Sequence, residues 1–60
     1  MNIGFIGLGN AGGKLAGSIL RNGFNLTVLD LNDSLVDDFL NRGAISAASP
    51  KQMAENCDVV

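Results

Sequence analysis

The sequence predicts an α/β fold built on a parallel β-sheet, and three observations lead to this prediction. A short apolar run, residues 2–6, stops abruptly at a glycine-rich turn. A segment whose apolar residues have helical spacing follows at 10–22, and a second run of β-branched and apolar residues follows at 24–30. Strand, helix and strand within about 30 residues form a βαβ unit, which places two parallel strands in one sheet. The alternation then continues, so the predicted order is β-α-β-α-β-α-β, truncated inside the fourth strand.

The first strand and the first helix each contain glycine, which is unfavourable inside either element. Residues 2–6 suit a central parallel strand, which is buried on both faces and need not alternate in polarity. Gly4 is a poor strand former, so we expect another backbone or a cofactor to approach it closely. In helix 10–22, Gly13 and Gly17 share one stripe, which indicates either close packing or plain tolerance of glycine. The residues predicted to face the sheet are Gly12, Leu15, Ala16, Ile19 and Leu20.

The second strand, 24–30, ends on Asp30, and a second helix is predicted at 34–42. Asn32 or Asp33 can cap this helix, because a side-chain oxygen at that position accepts a bond from a free N–H of the first turn. The apolar face of the helix consists of Leu35, Val36, Phe39 and Leu40. Glycines suited to a left-handed closing residue follow both helices, at Gly23 and Gly43.

The remainder of the chain carries weaker signals. Residues 44–48 are a candidate third strand. Ser49 followed by Pro50 predicts the start of a third helix, with a hydroxyl cap and proline at the first helical position. This helix is expected to run through about Asn56, and residues 58–60 are predicted to open a fourth strand.

The turn between the first strand and helix has the spacing G-x-G-x-x-G, with glycines at 7, 9 and 12. Gly7 allows a tight turn out of the strand, Gly9 leaves room for a pyrophosphate, and Gly12 lets the helix lie close to the sheet. An acidic residue, Asp30, lies eighteen positions beyond Gly12 at the end of the second strand. The motif alone is weak evidence, but strand, helix and acidic residue together predict the N-terminal portion of a Rossmann-type doubly wound sheet that binds a dinucleotide.

Asp30 also bears on which dinucleotide is bound. A carboxylate accepts hydrogen bonds from the two ribose hydroxyls of NAD and repels the 2′-phosphate of NADP. No arginine is nearby in the sequence Asp30-Leu31-Asn32, so NAD is favoured. The alternative is that Asp30 is only a turn residue or a cap. The predicted cofactor-binding residues are Gly7, Leu8, Gly9, Asn10, Ala11, Gly12, Asp30 and Leu31.

Composition limits the remaining possibilities. The net charge of −2 argues against non-specific binding of nucleic acid, which requires a basic field. No apolar run approaches the roughly 20 residues of a membrane span, and Met1 leads straight into the first strand without a signal peptide, so a cytoplasmic protein is expected. Because 60 residues fall short of the typical domain of about 100–150, we expect residues 1–60 to be the N-terminal fragment of a dinucleotide-binding domain within a longer protein.

The other reactive side chains have simpler interpretations. Cys57 is read as a small apolar residue, since the chain has no histidine to activate it. Asp37 and Asp38 are read as a solvated helix face rather than a metal site. Ser49 is read as a cap, and Asn10 either contacts the pyrophosphate or only begins the helix. No catalytic and no metal-binding residue is predicted.

Seven stretches of the chain together resemble a known family: Gly4-Phe5-Ile6-Gly7-Leu8-Gly9-Asn10, Leu15-Ala16, Asn22-Gly23, Val28-Leu29-Asp30, Gly43-Ala44, Ser49-Pro50 and Cys57-Asp58-Val59-Val60. With these stretches, the whole chain resembles the β-hydroxyacid dehydrogenase family, and within it the 3-hydroxyisobutyrate dehydrogenases. The departures are Ala11 and Leu15, where the family usually has methionine, and Ser18, where it usually has asparagine.

The resemblance implies a two-domain, homo-oligomeric enzyme that transfers hydride between NAD and a 3-hydroxy acid/semialdehyde pair. Its acid/base lysine, its substrate loop and its asparagine lie beyond position 60 in the family, so Lys14 and Lys51 are not that lysine. Two alternatives remain: a non-catalytic nucleotide-binding module of the same fold, or an NADP-dependent imine or 6-phosphogluconate-type reductase, which Asp30 disfavours.

Overall fold

The computed structural model describes residues 1–60 except for the side chain of Asn10. Strands and helices alternate along the chain as predicted. The strands are β1 (Asn2–Ile6), β2 (Asn25–Leu29) and β3 (Ile45–Ser46), and the helices are α1 (Asn10–Arg21), α2 (Asp33–Asn41) and α3 (Pro50–Asn56).

All the strand pairings are parallel, and β2 lies between β1 and β3. Ile6 is in register with Leu29, so β1 and β2 end side by side. Val59 forms a parallel bridge with Ile3, and its carbonyl accepts a hydrogen bond from the Gly4 N–H at 2.7 Å. The spatial order is therefore β3, β2, β1 and then the predicted fourth strand, as in the first part of a Rossmann-type sheet.

Helices lie on both faces of this sheet. Leu26 and Val28 point to one face, where they are buried in a core with Leu8, Ala16, Phe39 and Ala44 from the turn, α1, α2 and the segment that follows α2. Gly4 alternates with residues that pack on that core, so it points to the other face, where it meets Met53 of α3. This arrangement confirms the doubly wound α/β class.

The helix ends follow the local signals in the sequence. The Asn32 side chain accepts a hydrogen bond from the Ser34 N–H at 3.0 Å, and Ser49 Oγ accepts one from the Gln52 N–H at 3.1 Å. Asn32 rather than Asp33 is therefore the cap of α2. Two glycines close the first two helices with positive φ, Gly23 at 85° and Gly43 at 105°.

Two predictions from the sequence were wrong, one about the packing of α1 and one about the length of β3. Leu15 is 57% exposed, because it lies about 100° around the helix from Ala16, which is the residue that faces the core. The predicted strand 44–48 is reduced to Ile45–Ser46, with one further hydrogen bond from the Ala47 N–H to the Val28 carbonyl. This strand lies at the sheet edge with Ile45 63% exposed, so little apolar burial holds it in an extended ladder.

Candidate functional site

The glycine-rich turn joins the end of β1 to the start of α1. Gly7 has φ +91°, in the left-handed region, and no atom lies within 4 Å of the position that a side-chain Cβ would occupy. Glycine is therefore required there by backbone conformation rather than by crowding. The Gly7 N–H donates to the Leu29 carbonyl at 3.0 Å and ties the turn to β2.

The remaining glycines of the turn divide into crowded and open positions. A Cβ on Gly12 would collide with the Gly7 carbonyl oxygen, and a Cβ on Gly13 would lie 2.5 Å from the Leu8 carbonyl oxygen. Gly9 has nothing within 4 Å of its Cβ position. The first turn of α1 thus packs tightly against the backbone carbonyls of Gly7 and Leu8, whereas the surface over Gly9 is open to a ligand.

Helix α1 begins at this open surface. Gly9 is its N-cap residue, and no side-chain hydrogen bond caps the helix. The first N–H groups of a helix have no partner within the helix, and the helix dipole adds a partial positive charge there. Since Gly9 carries no side chain to supply an oxygen, a bound anion such as a pyrophosphate fits this helix start.

Asp30 lies beside the turn because the ends of β1 and β2 are in register. Its Oδ2 accepts a hydrogen bond from the Leu8 N–H at 2.6 Å, and its Oδ1 accepts one from the Asn32 N–H at 2.8 Å. The bond from Leu8, followed by the bond from Asn32, holds the pKa of Asp30 below its ordinary value. The group is therefore a carboxylate near neutral pH, and its oxygens keep further lone pairs for ribose hydroxyls.

Among the described side chains, no cation forms an ion pair with Asp30. The salt bridge found among them joins Arg42 to Asp38 at 2.6 Å. Lys14, Arg21 and Arg42 line the groove between α1 and α2, and Asp30 does not line that groove. A 2′-phosphate placed at Asp30 would thus meet a negative charge without a neutralising partner.

The other predicted cofactor residues take different positions. The side chain of Leu8 is buried in the core, 2% exposed, so only its backbone faces the turn. Leu31 is fully exposed directly after Asp30, and Ala11 is exposed in the first turn of α1. The predicted contact of the Asn10 side chain lies outside the described atoms.

Sequence reasoning missed two backbone groups of the site, the N–H of Leu8 and the N–H of Asn32. The role of the Asn32 N–H could have been predicted, because an aspartate often accepts a hydrogen bond from the N–H two residues further on. The first carries no local signal, since Leu8 and Asp30 are 22 residues apart and meet only through the sheet.

The reactive side chains outside the turn have structural partners. Ser49 is the cap of α3, as predicted. Cys57 is half-buried, and its Sγ lies 3.2 Å from the Cβ position of Gly4. Asp37 and Asp38 are both exposed on α2. Among the helices described, none is long and apolar enough to span a bilayer.

Comparison with known proteins gives matches along nearly the whole chain. Residues 2–60 match the family described as the NAD binding domain of 6-phosphogluconate dehydrogenase. The chain is 44% identical over 59 residues to L-threonate dehydrogenase of Cupriavidus necator, covering 98% of this chain and 20% of that protein. It is 37% identical over 59 residues to a probable mitochondrial 3-hydroxyisobutyrate dehydrogenase of Arabidopsis thaliana, covering 98% of this chain and 17% of that protein.

A third relative is 3-sulfolactaldehyde reductase of Escherichia coli K12, 38% identical over 58 residues, with 97% of this chain and 20% of that protein covered. Among solved structures, an imine reductase from Pseudomonas sp. superposes with a TM-score of 0.88 at 22% identity, over 97% of this chain and 20% of that one. At that identity the superposition shows the fold alone. The chain spans about a fifth of the length of these relatives.

Proposed function

Since the chain belongs to the family of the NAD-binding domain of 6-phosphogluconate dehydrogenase, we propose that residues 7–12 and 30–31 hold the pyrophosphate and the adenosine ribose of NAD. The resemblance to the β-hydroxyacid dehydrogenases is confirmed by this match and by the relative named 3-hydroxyisobutyrate dehydrogenase. In this proposal the open surface over Gly9 and the start of α1 take the pyrophosphate, and Asp30 takes the ribose diol.

The observation that carries the proposal is the position of Asp30 at the turn. Its carboxylate is bonded to the Leu8 N–H at 2.6 Å, so the acidic group and the helix start form one continuous surface. A ribose and a pyrophosphate are adjacent groups of one dinucleotide and need two such subsites side by side. The lack of a cation at Asp30 among the described side chains favours NAD over NADP.

We propose further that the intact protein is an oxidoreductase acting on a 3-hydroxy acid/semialdehyde pair. The curated relatives support this proposal, since two are named dehydrogenases and one a reductase. Bound NAD would accept the hydride, and residues 1–60 would bind and orient NAD. No residue in this part of the chain is proposed to take part in proton transfer, so the acid/base group is expected elsewhere in the protein.

Two other functions are kept as alternatives. A non-catalytic nucleotide-binding module would bind NAD and show no turnover with any 3-hydroxy acid. An NADP-dependent imine or 6-phosphogluconate-type reductase would bind NADPH more tightly than NADH, which Asp30 disfavours. The cytoplasmic location, the homo-oligomeric state and the assignment of residues 1–60 to the start of a larger domain stay predictions.

The test is a parallel titration of the intact protein with NADH and NADPH, followed by nicotinamide fluorescence. Residues 1–60 contain neither tryptophan nor tyrosine, so their own emission does not contribute to the signal. We expect tighter binding of NADH, and weaker NADH binding by Gly9→Ala, whose new methyl group occupies the open surface. Two outcomes would contradict the proposed site. One is that the wild type binds NADPH more tightly than NADH, and the other is that Gly9→Ala binds NADH as tightly as the wild type.

A further inference from the structure

We propose that the carboxylate of Asp30 has two linked roles: it selects NAD, and it holds the glycine-rich turn in its binding shape before the dinucleotide arrives. Leu8 and Asn32 are then positioning residues, which act on the ligand through Asp30. This inference rests on the proposed NAD site and adds to it that cofactor selectivity and turn geometry depend on the same side chain.

The two oxygens of Asp30 are bonded to two different loops. Oδ2 accepts from Leu8 in the turn between β1 and α1, and Oδ1 accepts from Asn32 in the turn between β2 and α2. The carboxylate therefore bridges the loops on both sides of the proposed ribose subsite. Hydrogen bonds from N–H groups to a charged acceptor are stronger than those to a neutral one, so the bridge restrains both loops.

The bridge between the two loops needs two acceptor oxygens. An asparagine at this position has one acceptor oxygen, and its NH₂ group is a donor that would face a donor N–H. The bond from Leu8 is partly buried, whereas the bond from Asn32 is exposed to water. Water can replace the bond to Asn32 more readily than the bond to Leu8, so the one acceptor oxygen of an asparagine is expected to stay on the Leu8 N–H. Alanine removes both acceptors and therefore disturbs the glycine-rich turn most.

The glycine-rich turn has two further attachments, which lie on and before Leu8. The side chain of Leu8 is fixed in the core, and the preceding Gly7 N–H is bonded to Leu29. The Leu8 N–H is thus the last attachment of the turn to β2 before the open position Gly9. Without it, the turn is held to the sheet by the Gly7 N–H and the Leu8 side chain, and the backbone next to the pyrophosphate subsite is less restrained. The pyrophosphate is common to NAD and NADP, so both ligands would be affected.

A neutral residue at position 30 is therefore expected to lower the affinity for NADH without raising the affinity for NADPH. Relief of charge repulsion favours NADPH, but the loosened turn costs both dinucleotides affinity. We expect Asp30→Ala to lower the affinity for NADH about tenfold or more, because the bonds to the ribose are lost and the turn is less ordered before binding. The less ordered turn should lower the affinity for NADPH as well. Asp37→Asn on the exposed face of α2 is the matched control for the loss of one negative charge, and it should change neither affinity.

The experiment measures the two hydrogen bonds directly in the intact, dinucleotide-free protein by NMR. In the wild type we expect through-hydrogen-bond couplings from the Leu8 and Asn32 amide nitrogens to the carboxyl carbon of Asp30. Asp30→Ala is expected to speed hydrogen exchange at the Leu8 amide, and Asp30→Asn mainly at the Asn32 amide, while the Val28 amide, in the central strand, stays protected. Asp37→Asn should leave both amides unchanged.

Each result decides the inference. Absence of the Leu8 coupling in the wild type would overturn it without requiring any variant to fold. It would also be overturned if Asp30→Ala gained NADPH affinity as it lost NADH affinity with the Leu8 amide unchanged, since charge alone would then explain selectivity. Failure of the wild type to bind either dinucleotide would instead contradict the proposed function, and the NMR result would still report on the bridge.

Discussion

Asp30 Oδ2 accepts a hydrogen bond from the Leu8 backbone N–H at 2.6 Å, and this bond joins two turns that are far apart in sequence. It forms because Ile6 and Leu29 are in register, so the residues that follow them leave the sheet side by side. The parallel pairing of β1 and β2 thus brings a glycine motif and a separate aspartate together in one candidate site. The proposed binding surface depends on the sheet as much as on the motif.

The glycines at 9 and 12 are expected to respond differently to the same substitution. Gly12→Ala places a methyl group against the Gly7 carbonyl oxygen, so overpacking should cost about 1–3 kcal/mol of stability. Gly9 has φ −76° and open space at its Cβ position, so Gly9→Ala should change stability by less than about 1 kcal/mol.

The ligand measurement separates the two variants further. NADH affinity should fall about tenfold in Gly9→Ala, equivalent to about 1.4 kcal/mol, at nearly unchanged thermal stability. In Gly12→Ala the loss of affinity should accompany a lower midpoint of thermal unfolding. A marked loss of stability in Gly9→Ala would show that its Cβ position is not open.

Acid is expected to remove the stability that Asp30 contributes. The bonds from Leu8 and Asn32 lower the pKa of Asp30 from its ordinary value of 3.8. A carboxyl whose pKa is lower in the folded state stabilises the fold fully above its ordinary pKa, and this contribution is lost as the pH falls through the folded value. The wild type should therefore be more stable than Asp30→Asn at about pH 7, and the difference should shrink below pH 3.8.

Thermal unfolding of both proteins over a pH series measures this difference. Asp37→Asn serves as the control for removing one negative charge from an exposed position. A stability difference between wild type and Asp30→Asn that stays constant through the acid range would show that the carboxylate form is not what the two N–H groups stabilise.

Local signals predicted most of the elements, and contacts between distant segments account for what they missed. Asn32 and Ser49 cap helices as their sequence positions indicate, because a cap depends on neighbouring residues alone. The exposure of Leu15 depends on which side of α1 meets the sheet, and the amphipathic pattern tolerated either placement. The bond between Leu8 and Asp30 and the contact between Gly4 and Met53 are tertiary, so no local pattern indicates them.

The cap of α3 offers a test confined to one hydrogen bond. Ser49→Ala removes the oxygen that accepts from the Gln52 N–H at 3.1 Å, so it should cost about 1 kcal/mol. Ser34→Ala is the matched control, because Ser34 takes part in the α2 cap through its backbone N–H, which alanine keeps. The control should stay within about 0.5 kcal/mol of the wild type by thermal unfolding. Equal effects of the two substitutions would rule out a specific role for the Ser49 hydroxyl.

The glycine in the middle of β1 is explained by one side chain on α3. A Cβ on Gly4 would lie 2.5 Å from Met53 Cγ and 2.6 Å from Met53 Sδ, well inside van der Waals contact. Met53 is itself fully buried, so it has little room to move aside. We therefore expect Gly4→Ala to cost about 1–3 kcal/mol by overpacking, and Met53→Ala to cost about 2–5 kcal/mol by leaving a cavity.

The two substitutions together should cost less than the sum of their separate effects, because the new methyl group at position 4 enters the space that Met53 vacates. Residues in direct contact show coupling energies of about 0.5–3 kcal/mol, which thermal or denaturant unfolding of the four proteins can resolve. Gly9→Ala combined with Met53→Ala is the control pair, since nothing surrounds the Cβ position of Gly9 and the effects should add. Additive costs for Gly4 and Met53 would mean that α3 does not pack on β1 through this contact.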